Sequence, residues 1–383
     1  MSYSEQKLSQ VGLAMQVDQT PLNTMRVMII AGGTGGHVFP ALAVAKTLQQ
    51  LQVPVSWLGT RKGIESELIP KQGIELHFLN IEGLRGRGML ALLRAPFKLL
   101  ASIIQACSAL KEFKPSVVLG MGGFVSGPGA IAAKLKGIPL VVHEQNSVAG
   151  TTNRLSAKMA TCVMQGFPNT FKQGEHCGNP VRDEIAAIKP PLERFANRQG
   201  PMRLLVLGGS RGALAINQLI PEILAKIEPE QRPQVLHQVG AQHQKTTQEL
   251  YIAQGHNIES ESIQIVPFID SMEQAYEWAD FVICRSGALT VAELTAVGLG
   301  AILIPFPYAI DDHQTTNGEW LVNSGAAIIH QQRDINSQDL ADQIVNLANN
   351  PDTRLTMANN ARSLAKNGAA DRVAKVCLEV ANG

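Results

Sequence analysis

Two stretches of the chain carry one pattern of apolar and polar positions. MRVMIIAGGTGGHVFPALAVAKTLQQ at 25–50 and MRLLVLGGSRGALAINQLIPEIL at 202–224 each pass from a short apolar run into glycines, then into apolar residues at helical spacing. Each reads as a central parallel strand, a tight turn and a packed helix. Recurrence of the unit about 175 residues later predicts two nucleotide-binding-type α/β domains in tandem, with a ligand cleft between them.

Other strand-like runs end in glycine or polar turns. They are VSWLG at 55–59, SVVLGMGG at 116–123, PLVVHEQN at 139–146 and TCVMQ at 161–165, then QVLHQVG at 234–240, IQIVPFI at 263–269, DFVICRSG at 280–287 and AILIPFP at 301–307. Open parallel sheets bind ligands beyond the C-terminal ends of their strands, so functional residues are expected there. Pro180, Pro190, Pro191 and Pro201 mark 179–201 as the linker between the halves. The expected division is a poorly ordered lead-in at 1–24, a first domain at 25–182 and a second at 183–365. An amphipathic helix at about 366–383 is expected to return to the first domain.

Composition fits this plan: 383 residues exceed one ordinary core, and 45% apolar with 17% charged residues suits a well-packed α/β protein. Residues 1–182 carry 18 Lys/Arg and 9 Asp/Glu, a net +9, whereas 183–383 carry 15 and 23, a net −8. The first half is expected to face something anionic, a phosphorylated substrate, nucleic acid or acidic membrane; a solvated charged face is the plainer reading. Five scattered cysteines without a C-x-x-C pair fit a reducing compartment and argue against structural zinc. The start lacks the pattern of a secretory signal, and the most apolar stretch, 89–110, is interrupted by Arg94, Pro96 and Lys98, so no transmembrane helix is expected.

Around that stretch, 83–111 mixes leucines with Arg85, Arg87, Arg94 and Lys98. Such a cationic amphipathic element can dock on an anionic leaflet, or it can be a core helix covering the sheet. Neither glycine turn satisfies G-x-G-x-x-G or the P-loop pattern, which leaves helix-start amides as an anion site or, more simply, close packing. His37, at the start of a helix, has the side chain that titrates nearest neutrality and suits a general base, although a cap or core role fits its position equally. In CRSGALTVAELTAVG at 284–298 a strand, a turn with Ser286 and Gly287, and a helix start bring amides suited to a diphosphate together with Glu293. That carboxylate suits two ribose hydroxyls, or else only the helix dipole. Few aromatic residues are interleaved with basic ones, which argues against nucleic-acid binding.

AGGTGGHVFPALAVA, LGMGGFVSGPG, HEQN, GNPVR, GGSRGA, RSGALTVAE and DDHQ occur in the order found in the MurG-type glycosyltransferases of peptidoglycan synthesis, which the chain resembles from 25 to about 368. The resemblance implies the two-domain GT-B fold and inverting transfer of N-acetylglucosamine from UDP-GlcNAc to the 4-hydroxyl of the undecaprenyl-diphosphate-linked muramyl pentapeptide, lipid I, giving lipid II. It implies no cofactor and no catalytic metal. By motif position, Thr34, Gly35, Gly36 and Asn146 fall near the donor sugar, and Arg182 and Ser210 near the nucleotide and its phosphates. Ile269 falls at uracil, and Ala288, Leu289, Thr290, Val291, Ala292 and Glu293 at phosphate, sugar and ribose. Gln314 falls at the sugar hydroxyls, with His313 beside it where some relatives have a second glutamine. His37 becomes the expected base, with Glu144 and His143 secondary.

A lipid-bound acceptor implies a peripheral enzyme on the cytoplasmic face of the inner membrane, with Arg85, Arg87, Leu92, Leu93, Arg94, Phe97 and Lys98 towards the lipid. Other cell-wall synthesis proteins are expected partners, in a role tied to cell shape and division. A UDP-sugar epimerase of related fold and a non-catalytic UDP-sugar-binding protein are the alternatives.

Overall fold

The computed structural model describes residues 24–81, 89–209 and 212–383, without the side chains of 89–94 and 310. Within these the chain forms two compact units. One comprises the described residues up to His143, Thr151–Met164 and Ala370–Gly383; the other comprises Glu144–Gly150 and Gln165–Ala369.

In the first unit the strands are β1 (Val27–Ile30), β2 (Val55–Gly59), β3 (Glu75–Phe78), β4 (Val117–Gly120), β5 (Leu140–Glu144) and β6 (Cys162–Gln165), in the spatial order β3-β2-β1-β4-β5-β6. β1 pairs in parallel with β2 and with β4, Ile29 lying opposite Trp57 and Leu119. Every residue of β1 and β4 is buried, as expected of central strands covered on both faces. Met28, Ile30, Val118 and Val142 meet Ala106, Leu110 and Phe113 of the Met89–Phe113 helix and Ala130 and Ala133 of the Ser126–Leu135 helix.

The second unit contains the two-residue strand β7 (Glu175–His176), then β8 (Arg203–Leu207), β9 (Gln234–Gln238), β10 (Ile263–Val266), β11 (Phe281–Cys284), β12 (Ala301–Leu303) and β13 (Ala327–Ile329). Its sheet order is β10-β9-β8-β11-β12-β13, with every pairing parallel. Alternation along β8 divides the core: Leu205 and Leu207 pack with Val291 and Leu294 on one face, Leu204 and Val206 with Ile216 and Ile220 on the other. Numbered from β1 and from β8 respectively, these six strands run 3-2-1-4-5-6 in each case, so the switch point lies between β1 and β4 in the first and between β8 and β11 in the second.

The boundary lies earlier than the expected 182/183. Strand β6 ends at Gln165, where the chain leaves the first unit, and Glu144–Gly150, at and after the end of β5, already belongs to the second. Gly166 N–H donates to Glu144 O (2.8 Å) and Asn179 Nδ2 to Gln145 O (2.9 Å), so hydrogen bonding gathers these segments into the second unit. The proline-rich 179–201 stretch is therefore part of the second unit, not a linker: Arg194 is buried there and donates to Val297 O and Gly298 O at the end of the Ala288–Val297 helix. The last helix, Ala369–Asn382, lies almost wholly in the first unit, where Thr47 Oγ1 donates to Asp371 Oδ1 (3.3 Å). The lead-in at 1–24, apart from Thr24, falls outside the described residues.

One buried group makes the second unit acid-sensitive. His237 of β9 is fully enclosed, with Nδ1 at 3.0 Å from Tyr251 Oη and Nε2 without a partner; burial pushes its pKa down to about 3. The unfolded chain takes up this proton near pH 6.5, so the stabilisation is complete above that pH and is lost as pH falls from there towards about 3. Urea unfolding is expected to show about 2 kcal/mol less stability at about pH 5 than at about pH 7. The paired substitution His237→Leu with Tyr251→Phe should shrink that difference; a difference that survives it would place the sensitive group elsewhere.

Candidate active site

In the first unit the turns after β1 and β4, on either side of the switch point, close on each other. Gly33 has φ +95° and its N–H donates to Glu65 Oε2 (3.0 Å), while Glu65 Oε1 accepts from Thr60 N and Thr60 Oγ1, both at 2.8 Å. The buried Glu65 carboxylate thus ties the glycine turn to the loop after β2. A Cβ on Gly123 would stand 2.2 Å from Gly32 O, and one on Gly122 (φ +101°) 2.6 Å from His37 Nδ1. Only glycine allows both approaches. The helix then starts at Gly35 with Thr34 as an extended N-cap; Thr34 and Gly36 are exposed, and His37 is half-buried against the Gly122 turn. His143, by contrast, is fully buried in β5.

In the second unit, the turn after β8 is pinned to β9. Gly209 N–H donates to Gln238 Oε1 (3.1 Å) and Gln238 Nε2 donates back to Gly209 O (3.0 Å). Gly209 (φ +76°) and Gly212 (φ +74°) have left-handed backbone, and a Cβ on Gly212 would meet Val239 O at 2.3 Å. Ser210 lies outside the described residues.

Across this switch point, β11 runs through Arg285, Ser286 and the N-cap Gly287 into the Ala288–Val297 helix. Arg285 is clamped by Ile304 O, Pro305 O and Gln332 Oε1, which fixes the turn. Ser286 is wholly buried and its Oγ has no hydrogen-bond partner in the protein. Leu289, Thr290 and Ala292 are half-buried on the helix, while Ala288 and Val291 belong to the core. Glu293 is the sixth residue of the helix, beyond its first turn. Its Oε2 accepts from Tyr276 Oη (2.9 Å) and its Oε1 faces Arg182 Nη2 at 3.5 Å. Burial raises the Glu293 pKa, against the opposing pull of Arg182 and the Tyr276 hydrogen bond.

The HEQN turn joins the same unit. Glu144 is buried, with Oε1 accepting from Asn146 N (2.9 Å) and Nδ2 (3.2 Å) and Oε2 from Gly150 N (3.2 Å). Its carboxylate thus shapes its own turn. Gln314 begins the His313–Asn323 helix with Oε1 accepting from Phe306 N (2.9 Å), which leaves its amide hydrogens to donate. Asp311 (φ 53°) and Asp312 (φ 49°), just before it, both take left-handed backbone, a strain of about 1–2 kcal/mol each for ordinary residues and less for aspartate. Ile269 is half-buried against the core, beside an exposed Phe268.

The structure therefore brings Asn146, Arg182, Ser286, Glu293 and Gln314 into one unit, with His37 in the other. Sequence reading missed Glu65 and Gln238, which hold the two glycine turns, and Tyr276 and Asn317, which hold Glu293 and Asn146. Asn317 alone left a signal, lying three residues after Gln314 on the same helix face. Among the described residues no cluster of His, Cys, Asp or Glu could hold a metal ion, and no helix is long and apolar enough to cross a membrane.

Comparison with known proteins gives this arrangement its family. The glycosyltransferase family 28 N-terminal domain matches residues 27–165 and the C-terminal domain residues 203–375. A UDP-N-acetylglucosamine--N-acetylmuramyl-(pentapeptide) pyrophosphoryl-undecaprenol N-acetylglucosamine transferase of Pseudomonas fluorescens is 51% identical over 93% of this chain and 99% of its own length. A transferase of the same name from Nitrosococcus oceani is 50% identical over 94% and 99%. The crystal structure of Acinetobacter baumannii MurG superposes with a TM-score of 0.80 at 40% identity, covering 93% of this chain and 99% of that one. The chain belongs to the MurG branch of glycosyltransferase family 28. Its fold is GT-B, shared at 16% identity and a TM-score of 0.68 with the kitacinnamycin glycosyltransferase. Both family domains are present in this MurG-branch chain, and each carries its glycine turn at a switch point.

Proposed function

We propose that the chain transfers N-acetylglucosamine from UDP-GlcNAc to the 4-hydroxyl of lipid I, forming lipid II. The observation that carries this reading is the near-complete match, at 51% identity, to a transferase of that name. The second-unit site supports it with a helix start, an unsatisfied Ser286 hydroxyl and a buried Glu293 on one turn and helix, groups that suit a nucleoside diphosphate. In the proposed reaction the acceptor oxygen attacks the sugar C1 and the bond from C1 to the diphosphate oxygen breaks. UDP leaves with the electron pair, and the acceptor proton passes to His37. The amides at the helix start by Ala288 offset the charge that grows on the diphosphate. Gln314 and Asn146 read the sugar hydroxyls, and Glu144 shapes the turn that carries Asn146.

Labelled GlcNAc supplied as UDP-GlcNAc with a lipid I analogue tests this: label is expected in the lipid product. Folded, UDP-binding protein that moves no label would sink the reading.

The acceptor is lipid-borne, and we propose peripheral docking by the first unit on an anionic leaflet. Phe97, Leu100 and Ile104 recur at helical spacing, 76%, 57% and 62% exposed, while Ala106, Leu110 and Phe113 of the same helix line the core. Lys98 is exposed among them, as are Lys134 and the C-cap Lys136 at the end of the neighbouring helix. The exposed face of this helix supports the docking reading, while its other face covers the sheet. Arg85 and Arg87, and the side chains of Leu92, Leu93 and Arg94, lie outside the described residues.

Replacing Phe97 and Ile104 by serine is expected to lower partitioning onto vesicles with anionic lipid at least tenfold, from about 1.5–3 kcal/mol per buried side chain. Salt should weaken the wild-type interaction. Equal sedimentation of variant and wild type with vesicles would move the docking surface elsewhere.

A further inference from the structure

Asn317 is fully buried in the His313–Asn323 helix, and its amide is bonded at both ends. Oδ1 accepts from Ser147 N (2.9 Å) and Ser147 Oγ (2.8 Å); Nδ2 donates to Ser286 O (3.2 Å) and to Asn146 Oδ1 (3.3 Å). This orientation is forced, because a backbone N–H can only donate and a backbone carbonyl can only accept. Asn146 is fixed in turn: its Oδ1 faces Asn317 Nδ2, and its own Nδ2 donates to Glu144 Oε1 (3.2 Å). Turning the Asn146 amide over would set nitrogen against nitrogen at Asn317 and oxygen against the Glu144 carboxylate.

We infer that Asn317 is a positioning residue that, with Glu144, locks the Asn146 amide in one orientation and thereby sets which sugar hydroxyl configuration the donor site accepts. The inference rests on the functional reading above, in which Asn146 touches the sugar. Carboxylate, amide, amide and carbonyl form a relay from the turn after β5 to the turn after β11. The relay leaves one Asn146 Nδ2 hydrogen and one Oδ1 lone pair in fixed places. A locked amide matches one epimer and leaves a buried polar atom unpaired against the other, whereas an amide free to flip pairs with both. Close packing keeps the relay rigid, since a Cβ on the adjacent Gly318 would come within 3.3 Å of Ser286 Cβ.

Asn317→Asp tests this, because it keeps the size and the bonds from Ser147 but turns an oxygen on Ser286 O and Asn146 Oδ1. The ratio of kcat/KM for UDP-GlcNAc to that for its C4 epimer, UDP-N-acetylgalactosamine, is expected to fall about tenfold or more, while the Kd for UDP changes less than about threefold. In an Asn146→Ala background, Asn317→Asp should leave that ratio unchanged, as required of a residue acting through Asn146. Equal losses with both donors, or additive effects in the double variant, would overturn the inference and leave Asn317 a merely structural residue. If thermal denaturation shows that Asn317→Asp does not fold, Glu144→Ala removes the acceptor of Asn146 Nδ2 at the amide's other end and must relax the same ratio. A wild type that transfers no GlcNAc defeats the functional reading itself; intact transfer with an unmoved ratio defeats only the positioning role.

Discussion

His37→Ala is expected to lower kcat by about 10²–10⁴-fold while the Kd for UDP-GlcNAc stays within a few-fold. The basis is location and confinement together. His37 sits two residues inside a helix whose first residue follows the exposed Thr34, and its ring lies against the turn after the other switch-point strand. No larger residue than glycine fits at 122 with the ring where it is, so the imidazole is held by shape. Gly122→Ala offers a second route to the same defect: its new methyl would stand 2.6 Å from His37 Nδ1, displacing the ring while leaving it in the protein. Loss of kcat in both variants, with donor affinity retained, would tie the rate to where the imidazole stands. An unchanged kcat in His37→Ala would assign the acceptor proton to another group, and transfer would then proceed without this base.

The regular parts of the fold were legible because they depend on local pattern. VMII and RLLVL are buried in full or nearly so, and each glycine turn lies where the apolar run stops. The helix starting at Ala288 was also readable from strand, turn and helix signals within fifteen residues. The unit boundary was not. It depends on hydrogen bonds that link Glu144 to Gly166 and Gln145 to Asn179, and the prolines at 179–201 resemble a linker although Arg194 among them is buried. Glu65 is equally silent in sequence: a glutamate on a short helix normally faces water, and only the fold brings its carboxylate to Gly33. The same holds for Glu144, read as a secondary catalytic group and found shaping its own turn. Sequence could nominate candidate ligand-facing groups; the groups that hold them are defined by contacts between residues far apart in the chain.

Glu293→Gln is expected to weaken UDP binding by about 10²-fold, and to do so by removing preference for the ribose hydroxyls, since hydrogen bonds to a charged group contribute about 1.5–3 kcal/mol. Two explanations of this carboxylate compete. If it only complemented the helix dipole, its effect would be confined to the first turn, yet it is the sixth residue of the Ala288–Val297 helix. A buried acid also has little reason to persist there unless something uses it, because burial raises its pKa and only Arg182 and Tyr276 oppose that shift. Tyr276 Oη takes Oε2 and Arg182 stands 3.5 Å from Oε1, which orients the carboxylate and leaves lone pairs for two vicinal hydroxyls. Glutamine keeps the shape but cannot accept at both ends. Calorimetry with UDP and 2′-deoxy-UDP separates the cases: the wild type should prefer the ribonucleotide, and Glu293→Gln should bind both weakly and alike. Tyr276→Phe should reduce that preference only in part, since it frees the carboxylate without removing it. A Glu293→Gln variant that still prefers the ribonucleotide as strongly as the wild type would assign ribose recognition to another residue and leave Glu293 as a partner for Arg182 and Tyr276 alone.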